Sequence, residues 1–195
     1  MIVELARKLG ISPAEYLEGE KVAGVRHQYV DGEAYAMAGG TKTHNEVAGN
    51  FYGLLRAHSR GTPCRGFIGD VKMHVAWDWR ERFYYPDVVV GCAAGDVDPD
   101  VVEQPKLIVE VLSNLTEHED RSDKFYAYRR LPSLEEYVLV TQNTRRMEVY
   151  RRETGWDLEL YENEGGFSLR SVGLDLSIGD VYEGVLETEN PFLGR

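Results

Sequence analysis

The chain is short of cysteine, of long apolar runs and of positive charge, and each shortage excludes something. Cys64 and Cys92 are its only cysteines. With no second cysteine two residues from either, they read as reduced thiols and neither as a zinc site nor as a disulfide framework. The histidines His27, His44, His58, His74 and His118 show no metal-ligand spacing. No apolar stretch is long enough to cross a bilayer, and the opening MIVELARKLG lacks the basic start, apolar centre and small-residue cleavage site of a secretory signal. A cytoplasmic protein with no membrane partner is expected. Lys and Arg number 22 against 33 Asp and Glu, a formal charge of −11. That balance argues against a general polyanion binder, because such binding rests on cations that neutralise phosphates. None of the 20 glycines builds a phosphate-cradling loop, a dinucleotide fingerprint or a G-x-S-x-G elbow.

What is present supports one folded unit: 195 residues at 43% hydrophobic content suffice for a single core. Charge is unevenly placed. Asp96, Asp98, Asp100 and Glu103 form an acidic patch, and the tail adds Asp180, Glu183 and Glu187. Basic residues gather at Arg80 with Arg82, at Arg121, Lys124, Arg129 and Arg130, and at Arg145, Arg146, Arg151 and Arg152. Ser12-Pro13-Ala14-Glu15 is a capping box with proline at the first helical position. RHQYVDGEAYAM places two Val- and Tyr-rich runs around Asp31-Gly32, a hairpin signal. From Thr43 to His58, Val47, Phe51, Leu54 and Leu55 recur at helical spacing. Strands are expected around GFIG, VKMHVAWDW and YYPDVVVGC. An acidic loop over residues 93–104 then leads into PKLIVEVLS. A second helix should begin at Thr116, its hydroxyl capping and Glu119 closing the box, and should stop before Pro132. EEYVLVT, RMEVYRR, WDLELYE and the C-terminal stretch read as further strands. The pattern is an α/β or α+β domain with a mixed sheet flanked by helices.

Two carboxylates interrupt this pattern. Glu110 sits among Leu107, Ile108, Val109, Val111 and Leu112 in a run suited to a fully covered strand. An ionised carboxylate there costs several kcal/mol unless cations or donors compensate it. Asp87 follows Pro86 at the start of a second apolar strand, where pairing begins. Lys124 stands one helix later. Each has a structural explanation when taken alone: a turn bond for Asp87, an arginine for Glu110, Asp120 four residues back for Lys124. Together they form a site that can hold Mg²⁺ or Mn²⁺, activate water and neutralise a leaving oxygen.

The succession Pro86-Asp87, Glu110-Val111-Leu112-Ser113, Asp120, Lys124 with Tyr128, and EEYVLV resembles the Uma-type restriction-endonuclease family, a bacterial branch of the PD-(D/E)XK nuclease superfamily. The likeness departs from the superfamily pattern where Leu112 replaces the lysine expected two residues after the glutamate; Lys124 on the next helix is the matching position. The resemblance implies a three-layer fold with a central mixed sheet between helices. It divides residues 1–195 into a helix and hairpin to about 40, a nuclease core from about 41 to 150, and C-terminal strands from about 151. It implies a metal held by Asp87, Glu110 and the Val111 backbone carbonyl, with Lys124 orienting water or stabilising the phosphate. Glu46, Ser113, Tyr128 and His44 are further site candidates, each with a bland explanation: solvation for Glu46, a strand end for Ser113, packing for Tyr128 and His44. The implied activity is metal-dependent hydrolysis of DNA, in a homodimer because duplex cleavage needs two sites. The acidic balance and displaced lysine motivate the alternative of a catalytically inactive fold that binds DNA or protein as a regulatory module.

Overall fold

Ser12 starts the first helix as its spacing predicts. In the computed structural model, which describes residues 7–92, 96, 98–114 and 116–185, the Glu15 N–H donates to the Ser12 hydroxyl at 3.3 Å and the Ser12 N–H to the Glu15 carboxylate at 2.8 Å. This helix, α1 (Pro13–Glu20), follows a short strand, β1 (Arg7–Leu9). Asp31 and Gly32 both take positive φ, 49° and 100°, and join β2 (His27–Val30) to β3 (Glu33–Ala36) in a tight hairpin. The Thr41 hydroxyl caps α2 (Lys42–His58), whose buried stripe is Val47, Ala48, Phe51 and Leu55.

The next strands are β4 (Arg65–Ile68), β5 (Lys72–Trp77), β6 (Arg80–Tyr84), β7 (Val88–Gly91), β8 (Val101–Val102) and β9 (Pro105–Leu112). The single strand expected over VKMHVAWDW ends at Trp77. Asp78 adopts φ 53°, and the chain reverses there so that β6 returns antiparallel to β5. The second helical region is compound: α3 (Glu117–Glu119), a π-helical turn (Asp120–Lys124) and α4 (Phe125–Tyr128), ending before Pro132 as expected. The capping box expected at Thr116 is absent. Thr116 has helical φ/ψ, −111° and −14°, so its hydroxyl does not cap. It meets the Ser113 hydroxyl instead, while Glu119 accepts from Gln28 at 2.8 Å. The remaining elements are β10 (Glu136–Thr141), β11 (Arg146–Arg151), β12 (Leu158–Glu162), β13 (Gly166–Leu169), β14 (Leu174–Ser177) and α5 (Ile178–Val181).

The fold is mixed α+β. A central sheet has the order β12-β11-β10-β9-β7-β4, with β9 and β10 parallel and the other pairs antiparallel. Residues alternate between its faces. Leu107, Val109 and Val111 pack with α2 and with Phe167, Leu169 and Ile178, whereas Ile108 and Leu112 pack with Ala127, Tyr128 and Tyr84 on the other side. That second side is covered by α4 and by a second sheet, β1-β3-β2-β6-β5-β8, which the one-sheet expectation did not foresee. No helix among the described residues is long and apolar enough to cross a membrane.

The expectation of two reduced thiols is overturned. β4 and β7 pair with Arg65 opposite Gly91, so the flanking Cys64 and Cys92 meet and are bonded, with an S–S distance of 2.07 Å. Their separation of 28 residues carries no trace of that register. The acidic patch proves to be turn chemistry: Asp98 accepts the Asp100 and Val101 N–H groups, and Asp96 those of Glu103 and Gln104. Residues 93–95 of that loop, and Glu187 of the acidic tail, lie outside the described residues.

Candidate active site

Strand register assembles the two acids. β7 and β9 pair Val90 with Leu107, Val89 with Ile108 and Val88 with Val109, so the next step brings Asp87 opposite Glu110 on the same face. The Asp87 N–H donates to Glu110 Oε2 at 3.2 Å, and the Val111 N–H donates to Asp87 Oδ2 at 2.7 Å. Each carboxylate is therefore fixed by the other strand's backbone. Both line a cavity of about 290 Å³ closed by residues 37–41 and by Ser113, Thr116 and Gln142.

Lys124, at the end of the π-helical turn, reaches back 3.1 Å to Glu110 Oε1 and 2.7 Å to Asp120. Single π turns of this kind recur at functional sites, because the inserted residue redirects a side chain. Tyr128, one turn on, is buried and donates to the same Glu110 oxygen at 2.9 Å, a role beyond packing. Leu112, where the superfamily lysine would stand, points into the apolar core. Burial raises the Glu110 pKa, and the neighbouring Asp120 and Asp87 raise it further, against the opposing pull of Lys124. Desolvation would lower the Lys124 pKa, but Glu110 and Asp120 outweigh it and hold the ammonium charged well above its ordinary range. One ammonium thus faces two buried carboxylates, with Asp87 beside them. Ionising every carboxyl group would leave surplus negative charge, which is why the Glu110 pKa is pushed up to about 8 and this carboxyl holds its proton near neutrality unless a further cation is bound.

His44 enters from the start of α2 with Nε2 at 3.2 Å from Asp87 Oδ2, a contact that sequence spacing did not reveal. Burial works against its protonation, but Asp87, Glu110 and the Val111 carbonyl together raise its pKa. Gly40 packs on the ring so closely that a Cβ there would lie 3.0 Å from Nδ1. Asp120, expected as the partner of Lys124, and Gln142, which was not foreseen, are buried in the same wall; Gln142 donates to the Leu112 carbonyl at 3.2 Å and accepts from Thr41 at 2.6 Å. Ser113 lines the cavity and organises the Thr116 turn through its hydroxyl. Glu46 is exposed on α2 and is not part of the cavity wall.

The donor chemistry fits a hard divalent cation. Among the described residues no three His, Cys, Asp or Glu side chains converge as a metal cluster. Asp87 and Glu110 are the two carboxyl groups that the paired strands bring together in the cavity wall, and a cation between them would take its other positions from water and phosphate. Mg²⁺ and Mn²⁺ prefer such an all-oxygen, partly hydrated shell, whereas Zn²⁺ prefers nitrogen and sulfur. Asp87 Oδ1 makes no hydrogen bond among the described residues and is available. A cation would also balance the carboxylate surplus.

Known proteins share both sequence and architecture with this chain. Residues 13–179 match the Uma2 family, described as "Putative restriction endonuclease". An uncharacterised Synechocystis protein, slr1290, is 32% identical over 178 residues, 90% of this chain and 93% of its own. A second, sll1609, is 32% identical over 155 residues, 78% of this chain and 86% of its own. A crystal structure of a "putative nuclease belonging to DUF820" from Anabaena variabilis superimposes with a TM-score of 0.74 at 15% identity, covering 90% of this chain and 99% of that one. The fold is accordingly nuclease-like, and the match over residues 13–179 makes this chain a member of the Uma2 family.

Proposed function

We propose that the protein is a divalent-metal-dependent endonuclease that hydrolyses DNA phosphodiester bonds. One observation carries the reading: Asp87 and Glu110, from paired strands, share a cavity wall with a lysine supplied by the following helix 3.1 Å from Glu110. Asp87, Glu110 and the Val111 carbonyl would hold Mg²⁺ or Mn²⁺. Bound there, the cation would lower the pKa of a water and neutralise charge on the leaving oxygen. Lys124 supplies a fixed ammonium beside the reacting phosphate. Glu110 and Asp120 orient it, and their charges keep it protonated, so it acts as an electrostatic clamp and not as a base. Tyr128 fixes the Glu110 carboxylate and His44 fixes that of Asp87. Duplex cleavage needs a second site, so the working form is a homodimer.

The test is nicking of supercoiled plasmid at low salt in Mg²⁺ or Mn²⁺, with wild type beside Glu110→Gln, a variant that keeps the side-chain shape. Metal-dependent nicking lost in the variant supports the reading. Wild-type protein that stays inert, or nicking that survives the substitution, overturns it.

A further inference from the structure

The basic clusters of this acidic chain have different fates. Arg151 is buried against Glu136, and Arg152 donates to the Leu131 and Leu134 carbonyls. Arg121 pairs with Glu117 and Glu148. The cluster formed by the β5–β6 turn and the end of α4 is spent differently. Trp79, at the turn, is 74% exposed, and the Arg80 guanidinium lies 4.6 Å from its ring centroid. Arg130 lies 5.4 Å from the Trp77 ring and 4.5 Å from that of Tyr126. Arg129 lies 5.4 Å from the Tyr126 ring, which is 43% exposed and meets Trp77 edge-on at 6.2 Å. Neither Arg129 nor Arg130 has an ion pair among the described residues, whereas Arg80 shares Asp31 with Arg82.

Exposing two large rings is costly, and stacking an arginine on each recovers only a fraction of that cost. The arrangement instead matches what an unpaired nucleotide requires: an aromatic or guanidinium plane for the base and a neighbouring cation for the phosphate. Its guanidinium groups lie against aromatic faces, whereas reading a duplex groove needs side chains that project to base edges. The patch is separate from the cavity wall and is linked to it only through buried side chains. Arg82 donates to the Tyr84 hydroxyl at 3.1 Å, the Tyr84 ring lies 6.0 Å from Lys124 Nζ, and Lys124 holds Glu110.

We infer that the Trp79–Arg80–Tyr126–Arg130 surface binds single-stranded nucleic acid, by base stacking and phosphate pairing. The inference rests on the nuclease reading for its purpose, though not for its test. It narrows the substrate to duplex DNA that carries unpaired nucleotides: flaps, frayed ends or the locally melted stretches of a supercoiled plasmid.

Binding is measured on the full chain in EDTA, where no hydrolysis intervenes, by fluorescence anisotropy of a labelled mixed-sequence 20-nucleotide strand and of its duplex. The single strand is expected to bind at least 10-fold more tightly. Trp79→Ala should weaken it roughly 5- to 100-fold without changing the salt dependence, as loss of a stacked base does. Arg129→Ala with Arg130→Ala should lower the slope of log affinity against log salt by about 1.4, two phosphate contacts on a single strand. Duplex binding equal to single-strand binding, or affinities unmoved by both variants, overturns the inference. So does equally variant-sensitive binding to phosphatidylserine vesicles, which would reassign the surface to a membrane. Plasmid nicking judges the cavity separately, so failure of either reading is recognisable by itself.

Discussion

Two buried ion clusters lie on neighbouring strands of the central sheet, and their difference separates structure from function. Glu136 on β10 is 1% exposed and Glu110 on β9 is 2% exposed. Glu136 accepts from Arg151 Nε at 2.6 Å, from the Arg170 and Ser171 N–H groups at 3.0 and 2.8 Å, and from the Ser171 hydroxyl. Arg151 also pairs with Glu159 and donates to the Ser168 carbonyl, and Arg170 stands within 3.9 Å of Glu159. Cations and carboxylates there are matched. Around Glu110, Lys124 is shared with Asp120, and Asp87 adds another carboxyl group to the same cavity wall. Burial of a charge is thus common to a strut and to a candidate metal site. Glu136 and Arg151 line a cavity too, of about 250 Å³, so it is the excess of carboxyl groups over cations, and not open space, that distinguishes the second.

Substitution separates the two clusters most sharply in opposite assays. Glu110→Gln and Asp87→Asn should each reduce metal-dependent nicking by about 10³-fold or more, since removing a metal ligand forfeits several kcal/mol of transition-state stabilisation. Glu110→Gln should leave the urea midpoint close to that of wild type, because it relieves part of a carboxylate surplus. Arg151→Ala should do the reverse. It strands Glu136 as an uncompensated buried charge and should cost about 3–5 kcal/mol of unfolding free energy. Equal destabilisation by Glu110→Gln and Arg151→Ala would erase the distinction.

Features carried by neighbouring residues were legible in the sequence. The Ser12–Glu15 box, the Asp31-Gly32 hairpin, the α2 stripe and the misfit of Glu110 in an apolar run all depend on local chemistry or on a fixed period. Features that depend on register were not. The Cys64–Cys92 bond and the contact of His44 with Asp87 arise from chain segments paired across tens of residues, whereas the meeting of Asp87 with Glu110 was expected from their joint chemistry and only its register was not. The β5–β6 reversal escaped notice for a smaller reason: Asp78-Trp79 lacks glycine and proline, and its left-handed aspartate resembles an ordinary polar strand residue. Thr116 misled in the other direction, because a capping sequence does not cap once its own backbone is helical.

The disulfide ranks next among expected effects. It ties β4 to β7, the strand that begins beside Asp87, across a separation of 28 residues. Cys64→Ser, or reduction of the wild type, should lower unfolding stability by roughly 2–4 kcal/mol. Chemical denaturation with and without dithiothreitol measures this, and insensitivity of the wild type to reductant would remove the bond as a stabilising element.

The smallest effect concerns a third carboxylate, Glu148 on β11, which lies between the two clusters in character: its side chain is 4% exposed, but its partners Arg121 and Arg146 are 31% and 40% exposed. Burial pushes its pKa up, yet Arg121, Tyr150 and Arg146 outweigh burial and hold it below the ordinary 4.5. A depressed folded-state pKa contributes stability above the unfolded value that is lost as pH falls through the folded one. Solvent around the two arginines screens the gain, so Glu148→Gln should cost about 1 kcal/mol or less near neutrality. The wild-type advantage should shrink once the pH drops below about 4.5, where the unfolded chain begins to take up the proton. Paired urea titrations of wild type and variant at pH 7 and at about pH 3.5 test the sign: a gap that widens in acid would mean that burial, not the arginines, controls this carboxylate.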